Sequence, residues 1–111
     1  MFKDRYTSTP YLIREIHNEM SFIPKTDDKA FLVIDENNIQ IQVILKNKDN
    51  DTWSGEIISY HPEIKKRTLH ERLEEIKNNE TFINKNNLTN GSLVTFQEIK
   101  IHGLSKKYND T

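Results

Sequence analysis

The sequence predicts an α+β fold: a small, strongly curved, mainly antiparallel sheet of four to five strands with an N-terminal helix and a second, inserted helix. Three observations predict it. Ile39, Ile41, Val43 and Leu45 alternate with Gln40 and Gln42, the period-2 pattern of a half-buried strand. Asn90-Gly91 is followed at once by a β-branched, aromatic-bearing run that reaches Ile101, as expected of a tight turn with positive φ angles feeding a closing strand. Two segments, around Leu12–Met20 and Leu69–Ile76, space aliphatic residues as one face of a helix does.

The elements follow in chain order. Ser8, Thr9 and Pro10 form a helix-start signal, a hydroxyl cap followed by a proline whose missing N–H is harmless in the first turn. Leu12, Ile13, Ile16 and Met20 continue it as an apolar stripe, so a helix is expected over 9–21, with Pro24 beyond its end. A polar connector leads to a compact apolar strand over 30–35. Glu36-Asn37-Asn38 then turns the chain into a strand over 38–46, and the pair reads as a hairpin. A third strand is expected over 52–60, with Trp53, Gly55, Ile57 and Ser59 on one face. A glycine inside a strand weakens it unless a bulge, a bend or a close approach uses it. His61-Pro62 ends that strand, because proline removes a ladder donor. Thr68-Leu69-His70-Glu71 has the form of a capping box and opens a helix over 68–79 with Leu69, Leu73 and Ile76 on one stripe. Phe82 and Ile83 re-enter the core, the last strand spans 92–101, and Lys106–Thr111 reads as a frayed end. The expected core is Leu12, Ile16, Phe31, Val33, Ile41, Val43, Trp53, Ile57, Leu73, Val94, Phe96 and Ile99.

Composition narrows the functional classes. A chain of 111 residues fits a single domain, residues 1–111, and with 34% hydrophobic and 30% charged residues its core must be small. Sixteen Lys plus Arg against 17 Asp plus Glu leave a net charge of −1, which does not mark a nucleic-acid binder. The absence of cysteine excludes disulfides, thiolate metal sites and a cysteine nucleophile, and suits a cytoplasmic location. Met1–Tyr6 lacks the apolar segment of a signal peptide, and Ala30–Ile34 and Val43–Leu45 are too short to span a bilayer, so no membrane association is expected. The abundance of Asn, Lys and Ile points to an AT-rich genome, as in a low-GC bacterium or its phage.

No catalytic or metal constellation emerges, and no cofactor is expected. His17 lies between Glu15 and Glu19, without the paired i, i+4 histidines of a zinc metalloprotease helix. His61, His70 and His102 are not joined at ligand spacing. Asp27-Asp28, Asp35-Glu36 and Glu74-Glu75 sit in expected turns or on a wet helix face, whereas acid–base catalysis needs two carboxyls in different environments. A phosphate-binding glycine loop, a GxSxG elbow and an EF-hand loop are all missing.

Two surface features remain. Lys65-Lys66-Arg67 is the one concentrated basic run. It could meet phosphates if Tyr60, Trp53 or Phe96 were exposed to stack bases, although Glu71, Glu74 and Glu75 on the following helix would oppose a phosphate backbone. The second helix has a thin apolar stripe between charged flanks. It can dock on the sheet, the arrangement the sequence favours, or present a surface to a partner. The candidate partner-binding residues are Tyr60, Lys65, Lys66, Arg67, His70 and Arg72.

The Ile39–Leu45 strand, the Trp53-Ser-Gly55-Glu-Ile57-Ile58 strand, Pro62 and the run from Gly91-Ser-Leu-Val-Thr-Phe96 to Ile101 together resemble SH3-like barrel domains of small bacterial proteins. The resemblance covers about half of the chain. Ser92 stands where an acidic residue is commoner in that group, and residues 63–87 would be a long insertion. It implies a partly open barrel and transfers no catalytic residue. The expected function is therefore a small non-catalytic protein-interaction module, of the kind that serves as an immunity, antidefence or regulatory inhibitor of a larger bacterial or phage protein. A nucleic-acid-binding barrel using residues 65–67 is the alternative.

Overall fold

The computed structural model describes residues 1–14 and 22–106. Within them the chain forms one six-stranded mixed sheet and a single α-helix. The strands are β1 (Tyr11–Arg14), β2 (Lys29–Val33), β3 (Gln40–Asp49), β4 (Thr52–His61), β5 (Leu93–Gln97) and β6 (Gly103–Ser105), in the order β1-β6-β2-β3-β4-β5. The helix α1 (Leu69–Lys85) lies on the connection between β4 and β5. Only β1 and β6 run parallel; every other neighbouring pair is antiparallel.

The β2–β3–β4 meander is what the period-2 patterning dictates. Ala30 faces Val43, Leu32 faces Ile41, and Leu45 faces Gly55, so the aliphatic side chains of three strands share one face. Asn38 and Asn50, both with positive φ, turn the two hairpins. Leu104 of β6 and Phe96 of β5 join the same core cluster, so the sheet curls round it while staying open at both edges. A short 3-10 turn, Glu98–Lys100, follows β5, and the N-terminal segment contacts it and the core. Phe2 bridges to Ile34 and sets its ring edge-on to Phe96, with centroids 6.2 Å apart. The Arg5 guanidinium donates to the carbonyls of Glu98 at 2.6 Å and Ile101 at 3.3 Å, tying the two segments together. His102 Nε2 lies 2.8 Å from the Lys3 carbonyl, an acceptor only, so that nitrogen carries the proton.

Several expectations are overturned. The helix expected over 9–21 is absent from its first part: Tyr11–Arg14 is an edge strand, and Ile16 and Met20 lie outside the described residues. Ser8-Thr9-Pro10 does not cap a helix; the Thr7 hydroxyl donates to the Thr9 carbonyl and the Ser8 carbonyl accepts from Arg5, bending the chain into β1. The α+β architecture with two helices and a partly open barrel is therefore replaced by an open, mostly sheet fold. The strand expected over 92–101 ends at Gln97, where the 3-10 turn breaks it, and Gly103–Ser105 is a further strand.

The phase of β2 is shifted by one residue. Ala30, Leu32 and Ile34 point into the core, while Val33 is half-buried and Phe31, though buried, lies outside the main cluster. On β4 Trp53, Gly55 and Ile57 keep the expected core face, although the pairing with β3 already shifts between Leu45 and Asn47, and beyond Ile57 the face slips. Val43 pairs with Ile57 but Gln42 pairs with Ser59, so a bulge at Ile58 turns Ser59 outward and Tyr60 toward the core. Gly91 has φ +89° and Asn90 does not share that region, so the turn there is of the type with one left-handed residue, closed by Ser92 N–H to Thr89 O at 3.0 Å. Leu73 and Ile99 are exposed rather than core. Lys106 is not frayed: its ammonium is paired with buried Asp28 at 2.7 Å and contacts the Ile23 carbonyl.

Candidate functional site

The feature that stands apart from the core is α1. Thr68 is its N-cap, with the hydroxyl accepting the Glu71 N–H at 3.3 Å, as the sequence pattern predicts. Its far end lies beyond the expected residue 79. Asn78-Asn79 lowers helix propensity, but the stop signal comes later. Asn87 takes positive φ, its N–H bonds the Asn84 carbonyl, and the Leu88 N–H reaches back to the Ile83 carbonyl at 2.9 Å. That is a Schellman ending with asparagine in the left-handed position. Its hydrophobic partners, Ile83 and Leu88, are both buried in the core cluster. The tertiary anchor of the helix is thus its last turn.

The rest of the helix stands free of the core. Leu69, Leu73 and Ile76 are 74%, 56% and 39% exposed, whereas Ile83 is 1% exposed. At 1.5 Å rise per residue, Leu69 stands about 21 Å along the axis from Ile83. The connection that carries the helix is tied at its neck by Gly91 N–H to Ile57 O at 2.7 Å and Ile57 N–H to Ser92 O at 2.9 Å. The sheet pairing of β4 with β5 therefore does not depend on where the front of α1 lies. The docking that the sequence favours is not made by this stripe, because the root alone is packed.

The candidate residues divide between the two ends of this helix. Lys65, Lys66 and Arg67 are exposed in the segment before it, and His70 and Arg72 are exposed in its first turn. The Glu75 carboxylate accepts the backbone N–H groups of Lys65 at 3.2 Å and Lys66 at 3.1 Å, which folds the basic run back on the helix. Lys65 is 3.9 Å from Glu63, an exposed pair of small energetic weight. Tyr60 is elsewhere. It is half-buried at the root, where Tyr60, Glu80, Ile83, Asn84, Thr89 and Asn90 line an open cleft of about 420 Å³. The aromatics proposed as stacking surfaces are not available: Trp53 and Phe96 are core residues, and the Trp53 indole N–H donates to Glu98 Oε1 at 3.2 Å.

One further polar cluster lies on the outward sheet face. Ser59 Oγ and Gln42 Nε2 each approach His61 Nε2 at 3.3 Å. A serine–imidazole pair used for catalysis needs a third group to orient the ring and donors for an oxyanion. Among the described residues the His61 ring makes no other hydrogen bond, and its Nε2, Ser59 and Gln42 form an exposed surface network. Among the described residues no group of three or more His, Cys, Asp or Glu is placed to hold a metal ion; His17, Glu15 and Glu19 lie outside them. No described helix is long and apolar enough to cross a membrane.

No family model, curated protein or solved structure matches this chain.

The sequence marked the α1 stripe but not its exposure. The missed signal was the Ile83–Asn87–Leu88 pattern, an aliphatic residue, a left-handed asparagine and a second aliphatic residue. Read as a helix ending, it extends α1 past Asn79 and puts the anchor at its far end.

Proposed function

We propose that the protein is a small non-catalytic protein-interaction module that binds a larger partner through the projecting front of α1, as an immunity, antidefence or regulatory inhibitor would. The observation that carries this reading is the line of Leu69, Leu73 and Ile76 left in solvent by a helix whose buried anchor is Ile83. An amphipathic helix ordinarily buries its apolar face, and helices seated in grooves are read through aliphatic residues at these spacings. Here the cap at Thr68 and the Schellman ending hold the helix formed, so little ordering entropy is left to oppose binding.

The nucleic-acid alternative rests on Lys65, Lys66 and Arg67 alone, because Trp53 and Phe96 are enclosed and Tyr60 sits at the root. Both readings meet in one experiment, affinity capture from a low-GC bacterial lysate with and without nuclease. The wild-type chain is expected to retain a stoichiometric, nuclease-resistant protein that Leu73→Glu loses. Recovery that ignores Leu73→Glu, or that vanishes with nuclease, contradicts the proposal.

A further inference from the structure

The charges round the α1 stripe are sorted by sign. At about 100° per residue, Arg72 lies about 60° to one side of the stripe's centre, with Lys77 and His70 about 80° to 100° to the other. Glu71, Glu74 and Glu75 fall about 120° or more away, on the back of the helix. The exception is Glu80, which continues the line toward the root and lines the cleft beside Tyr60. The exposed apolar front is therefore bordered on both sides by cationic or protonatable groups. Lys65-Lys66-Arg67 is held away from this front, on the acidic back of the helix, where the Glu75 carboxylate accepts the backbone amides of Lys65 and Lys66 and Lys66 lies beside Glu71, Glu74 and Glu75.

The two flanking cations, Arg72 and Lys77, are also uncommitted. Lys48, Lys100 and Lys106 each have a carboxylate within ion-pair distance, at 3.3, 2.5 and 2.7 Å. Among the described residues Arg72 and Lys77 have none. Resting on the interaction reading above, we propose that the occupant of the stripe is an acidic amphipathic helix of a partner protein, its aliphatic face on Leu69, Leu73 and Ile76 and its flanking carboxylates on Arg72 and Lys77. Charged flanks of this kind choose partner and register in helix–helix pairing.

The same arrangement disfavours the other occupants. A second copy would bring cationic flanks against cationic flanks and set Glu80 against the leucine line. An anionic membrane would take a helix with a broader apolar face and cationic, not acidic, groups outside it. Nucleic acid would leave the aliphatic line unused.

The test uses two labelled helical peptides with identical leucine faces, one with glutamate and one with lysine at the flanking positions, titrated with the full chain and followed by fluorescence anisotropy. The glutamate-flanked peptide is expected to bind about tenfold or more tightly than the other at low salt, with the gap closing as salt rises. Arg72→Glu with Lys77→Glu is expected to reverse the order, and Leu73→Glu, with helicity checked by circular dichroism, to abolish both. Equal binding of the two peptides, lost on Leu73→Glu, overturns the acidic partner and leaves the interaction reading standing. Failure of both peptides to bind overturns both. Leu73-dependent self-association, or Leu73-dependent binding to phosphatidylglycerol vesicles or single-stranded DNA in place of peptide, overturns the acidic helix as occupant.

Discussion

Ile41→Ala is expected to lower the free energy of unfolding by about 3 kcal/mol, whereas Leu73→Ala is expected to change it by less than about 0.5 kcal/mol. The two changes remove similar aliphatic volume from residues the sequence places alike in the core. Ile41 is fully buried in the middle of the sheet, opposite Leu32 on β2 and Tyr60 on β4. Truncating it loses the transfer free energy of three carbons and leaves a cavity walled by strands that cannot collapse without breaking their ladders. Leu73 is 56% exposed, and alanine is at least as good a helix former. Urea titrations of both variants beside the wild type check the pair. Comparable losses would place Leu73 in the core and remove the basis for a free helix.

Gly55→Val is the second large effect, expected at about 2 kcal/mol of destabilisation or more. Gly55 lies on the core face of β4, between Leu45 of β3 and Val94 of β5. A Cβ there would sit 3.1 Å from Val43 Cβ and Cγ2 and 3.2 Å from Phe96 Cε1. Alanine would need those neighbours to give by a few tenths of an ångström. Valine adds two further methyls where Val43 is fully buried and Phe96 is already held against the Phe2 ring. The gain in β propensity and the reduced freedom of the unfolded chain work the other way, but each is below about 1 kcal/mol. Thermal unfolding of Gly55→Val measures the balance; an unchanged midpoint would mean that the sheet flexes at this point instead of closing on it.

The meander was legible because each of its strands satisfies a local rule. Alternation fixes the face of Ile39 to Leu45, and polar turns with asparagine mark both hairpins. Gly55 was legible as a bulge, a bend or a close approach, and the close approach, of the Val43 and Phe96 side chains, is what the structure shows. What could not be read depends on partners distant in the chain. Tyr11-Leu12-Ile13-Arg14 has the spacing of a helix and the residue types of a strand. The choice is made by a parallel pairing with Gly103–Ser105, a strand too short to signal itself. The bulge at Ile58 is likewise a property of the β3–β4 ladder, and it reverses the faces of Ser59 and Tyr60 without any mark in the sequence. In the candidate site the stripe, the cap and the basic run were all legible. The exposure of the stripe was not, because the packing of Ile83 and Leu88 at one end decides it.

Cysteine labelling tests most directly the claim that α1 presents its apolar front to solvent. The natural chain contains no cysteine, so single substitutions at Leu69, Leu73, Ile76 and Ile83 give one reactive group each. Under native conditions Leu69→Cys and Leu73→Cys are expected to react with a water-soluble maleimide at close to the rate of an unfolded peptide, Ile76→Cys somewhat more slowly, and Ile83→Cys only through unfolding. Protection of Leu73→Cys to the degree of Ile83→Cys would contradict the account, because the stripe would then be part of the protein's own core.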